Sequence, residues 1–388
     1  MAAGLIEFTV SALPAFSQLE DLWGSVAQAA NASFFLSWSW IAAWLRSMPS
    51  DIAPQLVRVR AGGRVIGLGI VVAVHERRFG LLPLTVWHLH STGRADCDNV
   101  TIEYNGWLTL PDVEADLSAA FLDHVRGVHG GAHCLSMPGC RQRPGQGSTA
   151  GTEASGRLAI RMLRESSTWQ VDLDAVRAAK GGYLSKTSAN TRAKIRQSLK
   201  AYATLGPLQI HSAEDVETAH SYVERLRALH VAGWASRATQ GAFGAAHFDL
   251  FHQHLVSTGM ASGQVQLLRI SAGEHEVGYL YNFLCRDQVL FYQCGFNYAL
   301  PVPHGRPGLV SHALAIEHSA RSGYSRYDFL AGESQYKQSL ASVGVRLFWL
   351  RCERPSWHQS LESAMRAIRR RMSRRLGILR HAVSRTET

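Results

Sequence analysis

The chain has 388 residues, 46% hydrophobic and 18% charged, with 40 Lys and Arg against 30 Asp and Glu and a formal net charge of +10. That apolar content excludes a disordered chain, and 34 Gly with 12 Pro exclude collagen-like and low-complexity classes. A length above roughly 250–300 residues predicts more than one core. The charge is concentrated: residues 180–200 carry six basic and no acidic side chains, and residues 351–388 carry ten Arg and three Glu. The rest of the chain is close to neutral, so the excess belongs to two short segments.

In chain order, Leu56 to Val74 reads as a hairpin turning at Gly62-Gly63. Pro138 to Gly156, rich in Gly, Ser, Gln and Arg, reads as a linker or surface excursion and lacks the G-K-[ST] of a phosphate-binding Walker loop. A short strand at Trp169–Asp172 precedes a basic helix from about Ser188 to Leu205, stopped by Gly206-Pro207. A strand at Leu208–His211 and helices over Ala213–Ala232 and Ala246–Thr258 follow. A second hairpin runs from Val265 to Cys285 through Ala272-Gly273, and its loose likeness to the first suggests duplicated halves. The strand Val289–Phe296, a helix from Pro307 to Ser322 and the strand Tyr324–Leu330 then form a strand-helix-strand unit. The expected class is α/β with a mixed sheet, divided into residues 1–155, residues 156–350 and a tail of residues 351–388.

Cys97, Cys134, Cys140, Cys285, Cys294 and Cys352 show no C-x-x-C spacing, which argues against a zinc ribbon or a redox dithiol. The 18 histidines include no H-E-x-x-H set, so no metal is expected. The most apolar early stretch, Ser33–Leu45, is shorter than the roughly 20 residues needed to span a bilayer, and no leader pattern is evident. The expectation is a cytoplasmic protein, with any membrane contact confined to the surface.

Phe291 to Lys337 carries the most chemical information. Pro307 suits a first helical turn, Gly305 and Gly308 let backbone approach a ligand, and Arg306 adds a cation suited to phosphate. An anion at this helix start is one reading; a tight loop is the other. The next strand ends at Asp328, followed by a Gly turn and Tyr336-Lys337.

These residues, in this order, resemble the GNAT superfamily of acyl-coenzyme A-dependent acyltransferases. The resemblance is to its CelD/BcsL-like branch, associated with cellulose and exopolysaccharide biosynthesis and related to the FemABX transferases. It rests on F-L-S-W-S-W-I-A-A-W (Phe35–Trp44), Y-L-S-K-T-S-A-N-T-R-A-K-I-R-Q-S-L (Tyr183–Leu199) and L-H-V-A-G-W (Leu229–Trp234). F-Y-Q-C-G-F-N (Phe291–Asn297), R-P-G (Arg306–Gly308) and Y-D-F-L-A-G-E-S-Q-Y-K (Tyr327–Lys337) complete it. The resemblance implies tandem GNAT-like folds, the first half degenerate and the second holding acetyl-CoA or another acyl-CoA. The pantetheine arm would lie along Val289–Phe296, at Tyr292, Gln293, Cys294 and Gly295. The pyrophosphate would meet Arg306, Gly308, Leu309 and Val310. Asn297 stands where the family commonly has Asp, which counts against a catalytic role there.

Acyl transfer needs a group to take a proton from the acceptor and a donor to stabilise the oxyanion. The candidate bases are Asp328, then Glu333 or His230. Tyr336 is the candidate acid for the departing thiolate, and Lys337 a holder of an anionic group. Against these stand structural readings: Asp328 as a cap of its turn, and His230 with Trp234 as core packing. The expected acceptor is an amino or hydroxyl group of a sugar, polysaccharide precursor or related envelope metabolite. Two alternatives are an aminoacyl-tRNA-dependent transferase of FemABX type and a non-catalytic accessory protein of polysaccharide synthesis.

The basic helix places Arg192, Arg196 and Lys200 on one face, to attract a polyanion or simply to face water. Without an RNA-binding signature or interleaved aromatics, a nucleic-acid partner is not expected. In the tail, Trp357, Leu361, Met365, Ile368, Met372, Leu376, Leu379 and Val383 form a helical stripe with arginines on the other faces. Such a basic amphipathic helix, residues 357–383, either adsorbs to an anionic membrane surface or docks on the body.

Overall fold

The computed structural model describes residues 6–113, 116–144, 158–234, 243 and 245–356. The expected amphipathic helix of residues 357–383 and residues 145–156 of the expected linker lie outside the described residues, whereas Pro138–Cys140, assigned to that linker from sequence, are the end of a strand. The first part of the chain forms β1 (Ile6–Ala12), α1 (Phe16–Ala29), α2 (Trp38–Ser47), β2 (Pro54–Ala61), β3 (Arg64–Arg78), β4 (Leu82–Leu89), β5 (Leu108–Thr109), α3 (Leu117–His129) and β6 (His133–Cys140). The middle forms β7 (Ala159–Asp172), α4 (Leu173–Ala178), α5 (Gly182–Ser185), α6 (Ala189–Tyr202), β8 (Leu208–Ser212), α7 (Val216–Trp234) and α8 (Ala246–Ala261). The remainder forms β9 (Val265–Ala272), β10 (His275–Cys285), β11 (Gln288–Phe296), α9 (Pro307–Arg321), β12 (Arg326–Ala331), α10 (Gln335–Leu340) and β13 (Ser342–Glu353).

The strands make one mixed sheet in the order β1-β2-β3-β4-β6-β13-β7-β12-β11-β10-β9-β8, with β5 beside β3. Its two ends repeat one plan. A strand, two helices and three antiparallel strands (β1 to β4, then β8 to β11) lead into a crossover helix (α3, then α9) and a parallel partner strand (β6, then β12). The two hairpins read as a loose repeat are β2-β3 and β9-β10, the corresponding parts of this plan. The fold is therefore a mixed α/β arrangement of two GNAT-like units in tandem. β7 and β13, antiparallel to each other, lie between the two ends: β13 pairs with β6, and β7 pairs with β12.

The element bounds follow local chemistry. Ser188 caps α6 by accepting the Thr191 amide, and the buried face of that helix is Thr191, Ile195, Ser198 and Tyr202. Arg196 and Lys200 accordingly stand exposed, and Arg192 is half-buried. Pro307 opens α9, and Gly323, at φ +89°, follows its end. Together with α10 and every first-part element outside the β2-β3 hairpin, β13 is among the elements the sequence reading lacked. Register shifts at Trp349/Leu350 against β7 and at Phe348/Leu350 against β6 break its period-two pattern. Arg351–Glu353, assigned to the tail from sequence, are the end of this strand.

Helices α1, α2, α7 and α8 cover one face of the sheet and share one core across both ends. Phe34 stacks on Phe283 at 4.1 Å, and the Trp40 ring meets Phe251 edge-on at 4.8 Å. On the opposite face, α4, α5, α6 and α9 cover the second end, and α3 covers the first. α7 approaches β11 so closely that a Cβ at Gly295 would collide with the Leu226 carbonyl oxygen. Gly295→Ala is expected to lower stability by about 1–3 kcal/mol, measured by urea unfolding.

Candidate active site

The site begins where two parallel strands separate. β11 and β12 pair only at Gln288–Arg326, Val289–Tyr327 and Leu290–Asp328, so from Phe291 onward β11 has no neighbouring strand on that edge among the described residues. At the same level β11 carries an extra residue: Tyr281 of β10 faces Gln293 while Asn282 faces Phe291, which leaves Tyr292 as the bulge. The bulge changes the face that side chains take. Leu290 and Tyr292 pack with the α1, α2, α7 and α8 side, whereas Phe291, Cys294 and Phe296 pack with the α9 side. His230 on α7 lies 3.0 Å from the Cys294 carbonyl oxygen through Nδ1, and Tyr292 donates its hydroxyl to the Val100 carbonyl at 2.8 Å.

On the β12 side of the gap, Asp328 is 1% exposed. Its Oδ2 accepts the Tyr104 hydroxyl and Gln170 Nε2 (2.8 Å), and its Oδ1 accepts the Leu330 amide at 2.8 Å. Burial pushes its pKa above the usual carboxylate value, against the pull of these donors. Tyr104 (φ +50°) and Leu330 (φ +60°) both hold left-handed backbone, a conformation that costs on the order of 1–3 kcal/mol each and is kept where surroundings enforce it. Two residues flanking one buried carboxylate are thus both strained.

Ala331, at the end of β12, joins two further charged groups. Its amide donates to Glu103 Oε2 at 2.8 Å, and its carbonyl accepts Lys337 Nζ at 2.7 Å. Glu103 is buried, and burial raises its pKa to about 7. Lys337 is shifted the other way: desolvation lowers it, with Glu103 and Asp328 opposing. The Cys294 thiol is pushed up to about 12 by burial, so it is no ready nucleophile.

The start of α9 abuts the far end of β11, where a Cβ at Gly308 would lie 3.1 Å from the Phe296 ring. The Arg306 amide donates to Ser198 Oγ at 2.7 Å, and Val310 donates to the Arg306 carbonyl at 3.2 Å. Pro307 has no amide to offer, which leaves Gly308 and Leu309 as first-turn donors. Arg306 Nη1 is buried without a hydrogen-bond partner among the described residues. One turn on, His312 is 1% exposed and neither ring nitrogen has a partner among the described residues. Its pKa is lowered to about 3 by burial and by Lys337, and its ring stacks on Tyr336 at 5.7 Å.

The residues expected from sequence fall into groups. Asp328 and Lys337 meet at the gap, and Tyr336 borders it through its stack on His312. Asp328 differs from an available base in that donors occupy both its oxygens. Glu333 is exposed and accepts the Ser167 amide at 3.4 Å, and His230 is tied to the β11 backbone. Asn297 fixes the turn after β11, donating to the Glu276 carbonyl at 3.1 Å and accepting the Ala299 amide at 3.1 Å. Sequence reading missed Glu103, Tyr104 and Gln170. The first two come from I-E-Y-N-G (Ile102–Gly106) in the first half, where only an acid beside an aromatic in a non-repetitive stretch marked them. Among the described residues no cluster of metal-ligating side chains occurs, and no helix is long and apolar enough to cross a membrane.

Residues 189–338 match the family described as acetyltransferase (GNAT) domain, a span running from α6 to Lys337. The fold is similar to the crystal structure of FemX, with a TM-score of 0.54 at 11% identity over 92% of this chain and 99% of that one. It is also similar to a conserved protein of unknown function from Bacteroides thetaiotaomicron VPI-5482, with a TM-score of 0.53 at 9% identity over 90% and 100% of the two chains. No curated protein matches the sequence. Residues 189–338 are thus an acyltransferase domain of the GNAT type, and the likeness to FemX is one of fold.

Tyr104→Phe removes one of the donors to Asp328 while keeping the ring. A stability loss of about 1–3 kcal/mol is expected, read from the midpoint of a urea unfolding curve at unchanged slope.

Proposed function

We propose that the protein moves an acyl group, acetyl in the simplest case, from an acyl-CoA thioester to an amino or hydroxyl group of a sugar, polysaccharide precursor or related envelope metabolite. The observation that carries this reading is the separation of β11 from β12 beside the start of α9. An unpaired strand edge offers backbone amides at Tyr292–Gly295 to a pantetheine arm and a thioester carbonyl. Arg306, with the Gly308 and Leu309 amides, offers charge and donors to the pyrophosphate. The unpartnered Arg306 Nη1 fits that anion. In this reading Lys337 stabilises developing negative charge at the thioester, Tyr336 stands near the departing thiolate, and Asp328 positions Tyr104 and the turn after β12.

The sugar or envelope acceptor rests on the CelD/BcsL-like sequence resemblance. The same resemblance supports a division at residues 1–155 and 156–350, with the donor site in the second half. A cytoplasmic protein with peripheral membrane contact through residues 357–383 belongs to the same proposal. A second reading, an aminoacyl-tRNA-dependent transferase, is favoured by the fold similarity to FemX. It requires a donor without the CoA pyrophosphate, and binding of acyl-CoA distinguishes the two.

Acetyl-CoA at about a hundredfold its Kd is expected to stabilise the protein by about 2.7 kcal/mol, read as a rise in Tm. Arg306→Ala should weaken acetyl-CoA about tenfold, from loss of a charge-assisted contact worth roughly 1.5–3 kcal/mol, and leave S-acetylpantetheine, which lacks the pyrophosphate, unchanged. Failure of every acyl-CoA tested to raise Tm overturns the reading.

A further inference from the structure

Glu103 belongs to the first end of the sheet, yet its carboxylate reaches the gap at the second. It lies between α3 and β4 in sequence, next to Tyr104, and receives the Ala331 amide on Oε2 at 2.8 Å. The carbonyl of the same residue, Ala331, holds Lys337 Nζ at 2.7 Å. One residue, Ala331, therefore binds both a carboxylate and an ammonium at the end of β12. Glu103 is 6% exposed, and among the described residues its Oε1 makes no hydrogen bond to protein. The contrast with its neighbour matters. Asp328 spends both oxygens on Tyr104, Gln170 and Leu330, while Glu103 keeps one oxygen for another partner.

We propose that Glu103, supplied by the first half, is the group that takes the acceptor's proton during acyl transfer in the second half. The step rests on the acyl-CoA reading above. The acceptor's nitrogen or oxygen bonds to the thioester carbonyl carbon, its N–H or O–H proton passes to Glu103 Oε1, and the C–S bond breaks. The CoA thiolate leaves and takes a proton from solvent, and Glu103 returns its own to solvent, so no oxidant or further reactant is needed. The first half then contributes a reacting group as well as a scaffold.

The groups facing Glu103 are Lys337 on α10, Asp328 on β12, Arg164 on β7, Tyr292 on β11 and its neighbour Tyr104. Burial outweighs the Ala331 amide and the Lys337 charge and raises the carboxyl to about 7, a value suited to proton transfer near neutral pH. Activity should therefore rise as pH increases through about 7, as Glu103 loses its proton. The stability sign is opposite. With a folded-state pKa above the ordinary 4.5, the folded protein binds the proton more tightly than the unfolded chain. Stability then declines as pH rises from about 4.5 to about 7.

The test is E103Q, whose amide oxygen can still accept the Ala331 N–H, in three measurements. Acetyl-CoA should raise Tm equally in the wild type and E103Q, because donor contacts lie on β11 and α9. With acetyl-CoA and D-glucosamine as probes, thiol release should fall by about 10²-fold or more in E103Q, and the limb near pH 7 should vanish. Independently of turnover, the Tm of E103Q should gain on the wild type between pH 5 and 8. Equal rates, a retained limb, or a Tm difference that does not vary with pH overturns the role of Glu103. Absence of any acetyl-CoA shift in the wild type instead overturns the acyl-CoA reading, and the proton-transfer step with it.

Discussion

A buried carboxylate organises this protein. Taking Asp328 out of water costs several kcal/mol, and the structure answers with the Tyr104 hydroxyl, the Gln170 amide and the Leu330 N–H. Those donors come from the first half, from the central strand β7 and from the end of β12 itself. Hydrogen bonds to an ionised group contribute roughly 1.5–3 kcal/mol each, so the set can hold two residues in left-handed backbone. Because the same strand end carries Ala331, the positions of Glu103 and Lys337 depend on it.

The arrangement links the two ends of the sheet. Strands β7 and β13 join them through backbone hydrogen bonds, and the shared aromatic core around Trp40, Phe251 and Phe283 joins them on one face. Tyr104, Glu103 and Val100 carry the connection into the gap itself. The gap is thus walled by both units, although the domain match covers only the second. An unpaired strand edge is ordinarily a hazard; here it lies inside the sheet, between β11 and β12, rather than at an outer margin.

Much of this was legible in the sequence because it depends on local rules. The Pro307 helix start, the Gly206 stop and the crossover from β11 through α9 to β12 follow from capping, turn chemistry and periodicity. The loose hairpin likeness marked the duplication. β13 escaped because three register shifts break its alternation, and because a strand pairing with β6 and β7 is defined by partners about 170 to 220 residues away in sequence. Glu103 and Gln170 escaped for a related reason: nothing local distinguishes them, and only tertiary pairing brings them to Ala331 and Asp328. Asp328 itself was found by its place at a strand end. That rule located the carboxylate and said nothing of the donors that occupy it.

The central claim is that the gap between β11 and β12 holds the acyl-CoA donor. A crystal structure of the protein with acetyl-CoA tests it most directly. The account predicts the pantetheine arm along Tyr292–Gly295, the pyrophosphate on Arg306 and the Gly308 and Leu309 amides, and the thioester beside Glu103 and Lys337. Acetyl-CoA bound elsewhere, with β11 and β12 closed on each other, would contradict it.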